Sequence, residues 1–139
     1  MREDQMVSEP LRLKAHVLHT DEVCWARDDI EAALRELANA DQVVLGFDIM
    51  ELLPGGSPCI QGTSAYDMDA FLPSKSWKEC VALALELSIK DVRDTQRLTG
   101  LKAPHSHLWY CVVTVDQLGA AKLKPGEILV KLPAKQDDT

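Results

Sequence analysis

Val43-Val44-Leu45-Gly46-Phe47-Asp48-Ile49-Met50, closed by Leu53-Pro54-Gly55-Gly56-Ser57-Pro58 and followed by Cys59-Ile60-Gln61-Gly62-Thr63, reads as a β-hairpin. The Pro/Gly cluster makes a turn, so the second segment returns antiparallel to the first. Period-two alternation puts Val43, Leu45, Phe47 and Ile49 on one face and Val44, Gly46, Asp48 and Met50 on the other. Asp48 therefore points away from Phe47. A glycine and a carboxylate inside an apolar strand weaken it locally, and such departures concentrate where a protein has work to do. An acidic loop, Tyr66-Asp67-Met68-Asp69, follows the return arm.

Two amphipathic helices flank the hairpin. Upstream, Ile30, Ala33, Leu34, Leu37 and Ala38 recur at helical spacing behind Asp28, Asp29 and Glu31, which predicts a helix over 27–39. Glu31 and Arg35 fall four residues apart on its outer side, a solvated pair contributing about 0.3 kcal/mol. Downstream, Ser76-Trp77-Lys78-Glu79 has the pattern of a capping box and opens the longest helix, which Gly100 ends. Trp77, Cys80, Val81, Ala84, Leu85, Leu87 and Val92 form the stripe expected against the sheet, and Glu79, Glu86, Lys90, Arg93 and Arg97 the stripe expected to face solvent.

The remaining segments complete a sheet. Leu11-Arg12-Leu13-Lys14-Ala15-His16-Val17 alternates as a half-exposed strand does, following a flexible tail over residues 1–10. His107 through Val115 is apolar on both faces and reads as a central strand; Asp116 to Leu123 is a short helix or turn. After Lys124-Pro125-Gly126, Glu127-Ile128-Leu129-Val130-Lys131-Leu132 reads as a last strand, and residues 133–139 as a C-terminal tail. The expected fold is α+β: one domain over residues 11–132, with a mostly antiparallel sheet and two main helices packed on one face.

Composition narrows the function. A chain of 139 residues with 46% hydrophobic content fits a single core. Its formal charge of −7, from 15 basic and 22 acidic residues, disfavours nucleic acid and anionic membranes and favours a basic partner. No long apolar stretch or signal-peptide pattern is evident, so a cytoplasmic location is expected. Cys24, Cys59, Cys80 and Cys111 stand far apart and read as reduced structural thiols.

Catalytic patterns are weak. His105-x-His107 and His16-x-x-His19 are the histidine pairs, and neither brings a further ligand for zinc, so no metal or other cofactor is expected. Asp48, Asp67 and Asp69 are candidate carboxylates for acid–base work, and a small hydrolase using Asp48, Asp67 and His105 is one alternative reading. No zinc-protease, nucleophile-elbow or phosphate-loop spacing accompanies them, and Cys24 has no base placed beside it in sequence. An adaptor or regulatory protein-binding domain is the other alternative.

The succession Glu22-Val23-Cys24-Trp25 before an acidic helix start, Val44-Leu45-Gly46-Phe47-Asp48-Ile49, Tyr66-Asp67, Ser76-Trp77-Lys78-Glu79 and Leu108-Trp109-Tyr110 resembles the bacterial polymorphic-toxin immunity family known as immunity protein forty, over roughly Val17 to Val115. The resemblance implies a cytoplasmic antidote that binds and neutralises a cognate toxin domain and catalyses nothing. An acidic protein suits a basic toxin surface, because complementary potentials speed association and fix orientation. The hairpin and acidic loop are the expected contact edge, with Asp48, Glu51, Asp67 and Asp69 as carboxylates and Tyr66 as the aromatic contact. The thiol reading predicts that denatured, unreduced protein titrates with all four cysteines free. A count of two would reveal a disulfide and overturn the expected compartment.

Overall fold

The computed structural model describes residues 1–66, 76–102 and 104–122. Its strands are β1 (His16–Val17), β2 (Val23–Ala26), β3 (Val43–Leu52), β4 (Pro58–Ala65) and β5 (Trp109–Val115). They form one antiparallel sheet in the order β1-β2-β5-β3-β4. The helices are α1 (Glu9–Lys14), α2 (Arg27–Asn39), α3 (Trp77–Arg93), α4 (Thr95–Thr99) and α5 (Gln117–Ala121). The fold is α+β, with α2 and α3 packed on one face of the sheet. The expected strand over 127–132 and the C-terminal tail lie outside the described residues.

Register across the three middle strands fixes what each face carries. Trp25 pairs with Tyr110 and Tyr110 with Ile49; Val23 pairs with Val112 and Val112 with Phe47. These six side chains lie in the helix-side core with Ile30, Leu34 and Leu37 of α2 and Cys80, Ala84 and Val92 of α3. Each such aliphatic or aromatic burial contributes about 1.5–3 kcal/mol. The intervening row, Cys24, Cys111 and Asp48, must then face the other way. There Cys24 and Cys111 join Leu18 and Met50 in a second apolar cluster.

The hairpin is longer than the sequence pattern suggests and is bent at two places. A register shift between Val44 and Gly46 leaves Leu45 as an extra residue against β5, and Val43, Val44 and Leu45 all belong to the main core cluster. A second shift lies between Ile49 and Met50 against β4. Gly46 has φ of 150°, and a Cβ there would sit 2.1 Å from the Ser64 carbonyl oxygen. The glycine that looks like a defect in the sequence is therefore what lets β3 and β4 approach.

The N-terminal segment departs most from expectation. Residues 11–14 belong to α1 rather than to a strand, with Ser8 at the N-cap and Pro10 in the first turn, where its missing N–H costs nothing. Leu11 is 7% exposed and Leu13 78%, an outcome of helical rather than strand periodicity. The first ten residues, expected as a tail, are packed: Val7 is buried, the Glu36 carboxylate accepts from Ser8 N and Oγ at 2.7 and 3.0 Å, and the Glu3 carboxylate accepts from Thr114 Oγ1 at 2.9 Å. The Trp25 indole N–H donates to the Leu11 carbonyl at 2.8 Å, tying α1 to β2. Strand β2 itself was not anticipated, because four residues are too few to show a period.

Helix α2 spans Arg27–Asn39, as its stripe predicts. The capping box of α3 is formed, with Glu79 N donating to Ser76 Oγ at 3.2 Å and Ser76 N to the Glu79 carboxylate at 3.0 Å. The long helix is two pieces: α3 stops at Arg93 and α4 runs to Thr99, with Gly100 in the left-handed conformation after it. At the break, buried Thr95 donates to the Val92 carbonyl and meets the Tyr110 hydroxyl at 2.6 Å. Trp77, expected in the core, is half-buried, with its indole N–H on the Asp41 carbonyl at 2.9 Å. Leu85 and Leu87 are likewise half-buried, and Ser88 and Ile89 take the buried places.

Gly46→Ala is expected to destabilise the protein by about 2–3 kcal/mol in urea unfolding, since the methyl group meets backbone and the backbone conformation is unfavourable. A loss below about 0.5 kcal/mol would mean that the two strands part without cost.

Candidate functional site

Of the five residues expected at a contact edge, the three described ones, Asp48, Glu51 and Tyr66, do not share one exposed surface. Asp48 is 5% exposed and accepts from Thr63 Oγ1 at 2.5 Å. It sits in register beside Cys111, whose Sγ lies 3.9 Å from the Glu22 carboxylate. The neighbouring Cys24 thiol and burial push the Cys111 thiol far above its ordinary range, with the charges of Glu22 and Asp48 acting in the same direction. The Cys111 thiol is thereby kept protonated and is a poor nucleophile in this setting. Asp48 therefore lies within the sheet and not at an exposed contact edge.

Tyr66 is corrected in the same way. Its ring is in the helix-side core and its hydroxyl donates to Asp91 Oδ2 of α3 at 2.8 Å. Ser64 Oγ donates to the same oxygen at 2.5 Å, while Arg97 of α4 donates to Asp91 Oδ1 at 3.3 Å. Tyr66 N also donates to the Leu45 carbonyl at 2.9 Å. One carboxylate thus joins α3, α4 and the end of β4. Tyr66 anchors the base of the segment that carries Asp67 and Asp69; those two residues lie outside the described ones.

Glu51 remains at the surface. Near the hairpin turn its carboxylate accepts from Gln61 Nε2 at 3.1 Å and lies 3.4 Å from His107 Nε2. On the same arm, Leu53 and Ile60 are 48% and 42% exposed; Ile60 pairs with Met50 and so lies on the face opposite Glu51, which pairs with Cys59. Of the described residues expected at the contact edge, Glu51 alone is at the surface, and the arm that carries it also exposes two apolar side chains. Periodicity missed these two, because a hydrophobic residue next to a turn gives no sequence signal of its exposure.

The histidine pairs separate. The His105 ring bonds to the Leu101 carbonyl at 3.1 Å, His107 turns to Glu51, and the His16 ring lies tilted against Trp109 with centroids 5.7 Å apart. Among the described residues, no three His, Cys, Asp or Glu side chains gather as a metal site. Of the residues named in the hydrolase alternative, Asp48 is 5% exposed and bonded to Thr63, His105 is bonded to the Leu101 carbonyl, and Asp67 lies outside the described residues.

A charge cluster invisible to spacing lies on the helix layer. Arg93 of α3 donates through Nε and Nη2 to the Glu31 carboxylate at 3.2 and 2.9 Å. Arg27 and Arg35 of α2 approach the same carboxylate at 3.7 and 3.6 Å. The Arg93 bond in particular holds the Glu31 carboxyl below its usual pKa against the effect of burial, so Glu31 stays ionised. The sequence showed only the Glu31–Arg35 pair, because the contact with Arg93 exists only once α2 and α3 pack.

No family model, curated protein or solved structure matches the chain.

Burial pushes both Tyr66 and Tyr110 above the usual phenol range; Asp91 reinforces the shift at Tyr66, and hydrogen bonds to Ser64 and Thr95 partly offset the two shifts. Above about pH 10 the unfolded chain gives up phenolic protons that the folded chain retains, so the unfolded state binds fewer protons and stability falls as pH rises. Urea midpoints from about pH 8 to 11 are expected to decline, and to decline less steeply in Tyr66→Phe and in Tyr110→Phe. An unchanged slope in both variants would contradict the assignment.

Proposed function

We propose that this protein is an immunity protein: a cytoplasmic antidote that binds a cognate bacterial toxin domain stoichiometrically and occludes it without catalysis. The observation that carries the reading is the hairpin end, a double-stranded arm that exposes Leu53 and Ile60 and carries the surface carboxylate Glu51. Apolar residues ringed by charge make the core and rim of a protein interface, and a pre-formed β arm loses little freedom on binding. The arm is held at its far end by the close strand approach at Gly46 and by Tyr66 on Asp91. Together with the chain's formal charge of −7, the acidic edge favours a toxin with a basic surface and disfavours nucleic acid and membrane. The described helices agree on the last point only so far: none is long and apolar enough to cross a membrane. The resemblance over Val17 to Val115 supplies the biological setting.

The test is a search for a toxin domain encoded beside this protein, followed by pairing of the two. Coexpression is expected to restore growth, and the purified proteins are expected to form a complex of equal stoichiometry. Leu53→Asp with Ile60→Asp should speed dissociation by about tenfold or more. Glu51→Lys combined with Asp67→Lys and Asp69→Lys should slow association, and the difference should shrink at high salt, where steering is already screened. Absence of a complex overturns the immunity reading; a complex unaffected by both sets of substitutions removes the hairpin from its interface.

A further inference from the structure

The helix layer carries a surface of opposite character to the hairpin. Between α3 and Arg35 of α2 lies an open groove of about 470 Å³. Half-buried Leu85 and buried Ile89, one turn apart on α3, provide its apolar floor, and Arg35, Lys90 and Arg93 its cationic rim, with Glu86 as the acidic member. Leu85 belongs to the stripe expected against the sheet, so its partial exposure here is a consequence of how α3 is rotated. Glu31 holds Arg93 by two hydrogen bonds and has Arg27 and Arg35 within 3.7 Å. Three guanidinium groups thus meet one carboxylate, and Lys90 adds a fourth cation along the same face. On a chain of formal charge −7 this is a local reversal of sign.

We propose that the α2–α3 groove docks an acidic amphipathic helix of a partner protein, independently of the hairpin surface. Two apolar side chains of such a helix, spaced by one turn, meet Leu85 and Ile89, as in helix-in-groove recognition. Its flanking carboxylates meet Arg35, Lys90 and Arg93. The guanidinium groups are already positioned by Glu31, so less side-chain freedom is lost on binding. Charge complementarity commits the occupant: a basic helix would place like charges against the rim, and a nucleic acid backbone has no apolar side chains spaced to meet Leu85 and Ile89.

The probe is a fluorescein-labelled peptide of about 18 residues built from Glu, Ala and Leu with leucines one turn apart, long enough to be helical, and a control with Lys in place of Glu. With the full chain, the acidic peptide is expected to bind and to shift the amide resonances of α2 and of residues 82–93, leaving those of the hairpin unchanged. Arg35→Glu with Lys90→Glu should weaken it by roughly tenfold or more at unchanged melting temperature, and Lys90→Gln alone by a smaller factor. Equal binding of the basic control, perturbations centred outside α2 and α3, undiminished affinity in the double variant, or no binding of the acidic peptide would each overturn the proposal. Because the hairpin substitutions leave this groove intact, its failure and that of the toxin interface are read separately.

Discussion

The pleat of the central strands is the constraint on which the rest of this molecule depends. Once Trp25, Tyr110 and Ile49 and the parallel row Val23, Val112 and Phe47 turn toward the helices, the row between them has no choice of direction. That row contains Cys24, Cys111 and Asp48. An aspartate is thereby carried into a nearly water-free position, where an ionisable group is tolerated only with hydrogen-bonding partners, and Thr63 on the adjacent strand is one of them. Asp48 is thus better understood as a polar group accommodated by β4 than as a group held ready for a partner or a reaction.

Polar side chains also hold the separate pieces together. Asp91 receives hydrogen bonds from Ser64 and Tyr66 at the end of β4 and from Arg97 of α4, so a single carboxylate fixes three elements. Thr95 does similar work between the α3–α4 break and the Tyr110 hydroxyl in the core. Backbone contact reinforces these links: a Cβ at Gly62 would lie 2.5 Å from the Leu98 carbonyl oxygen, so α4 rests directly on β4. The exposed arginines around Glu31 stabilise the fold less, because solvent and salt screen them. Their importance lies in positioning charge on the surface.

Two surfaces of unlike chemistry result. At the hairpin end the acidic Glu51 accompanies exposed aliphatic groups, whereas the α2–α3 groove sets cations around an apolar floor. The chain's overall negative charge describes the first and conceals the second. A net charge governs long-range encounter, but within about 8–10 Å, the screening length at physiological salt, recognition follows the local arrangement. The immunity reading draws on the first surface, and the docking of an acidic helix on the second.

Sequence alone determined those features whose cause is local. The hairpin turn follows from Pro54, Gly55, Gly56 and Pro58, the start of α3 from the reciprocal bonds of Ser76 and Glu79, the span of α2 from its apolar stripe, and the central place of β5 from apolar residues on both its faces. Even the direction of Asp48, away from Phe47, followed from counting by two. Where two periods compete over a few residues, the pattern misleads: Leu11 and Leu13 alternate like a strand, yet Pro10 and the Trp25 bond to Leu11 belong to a short helix. Only the tertiary structure decided which polar residues are accessible. Tyr66 became an anchor because Asp91 lies beside it from 25 positions further along the chain, and Arg93 found Glu31 across 62 positions. Contacts between distant residues depend on how whole helices rotate and dock, and periodicity, which describes one element at a time, carries no information about that choice.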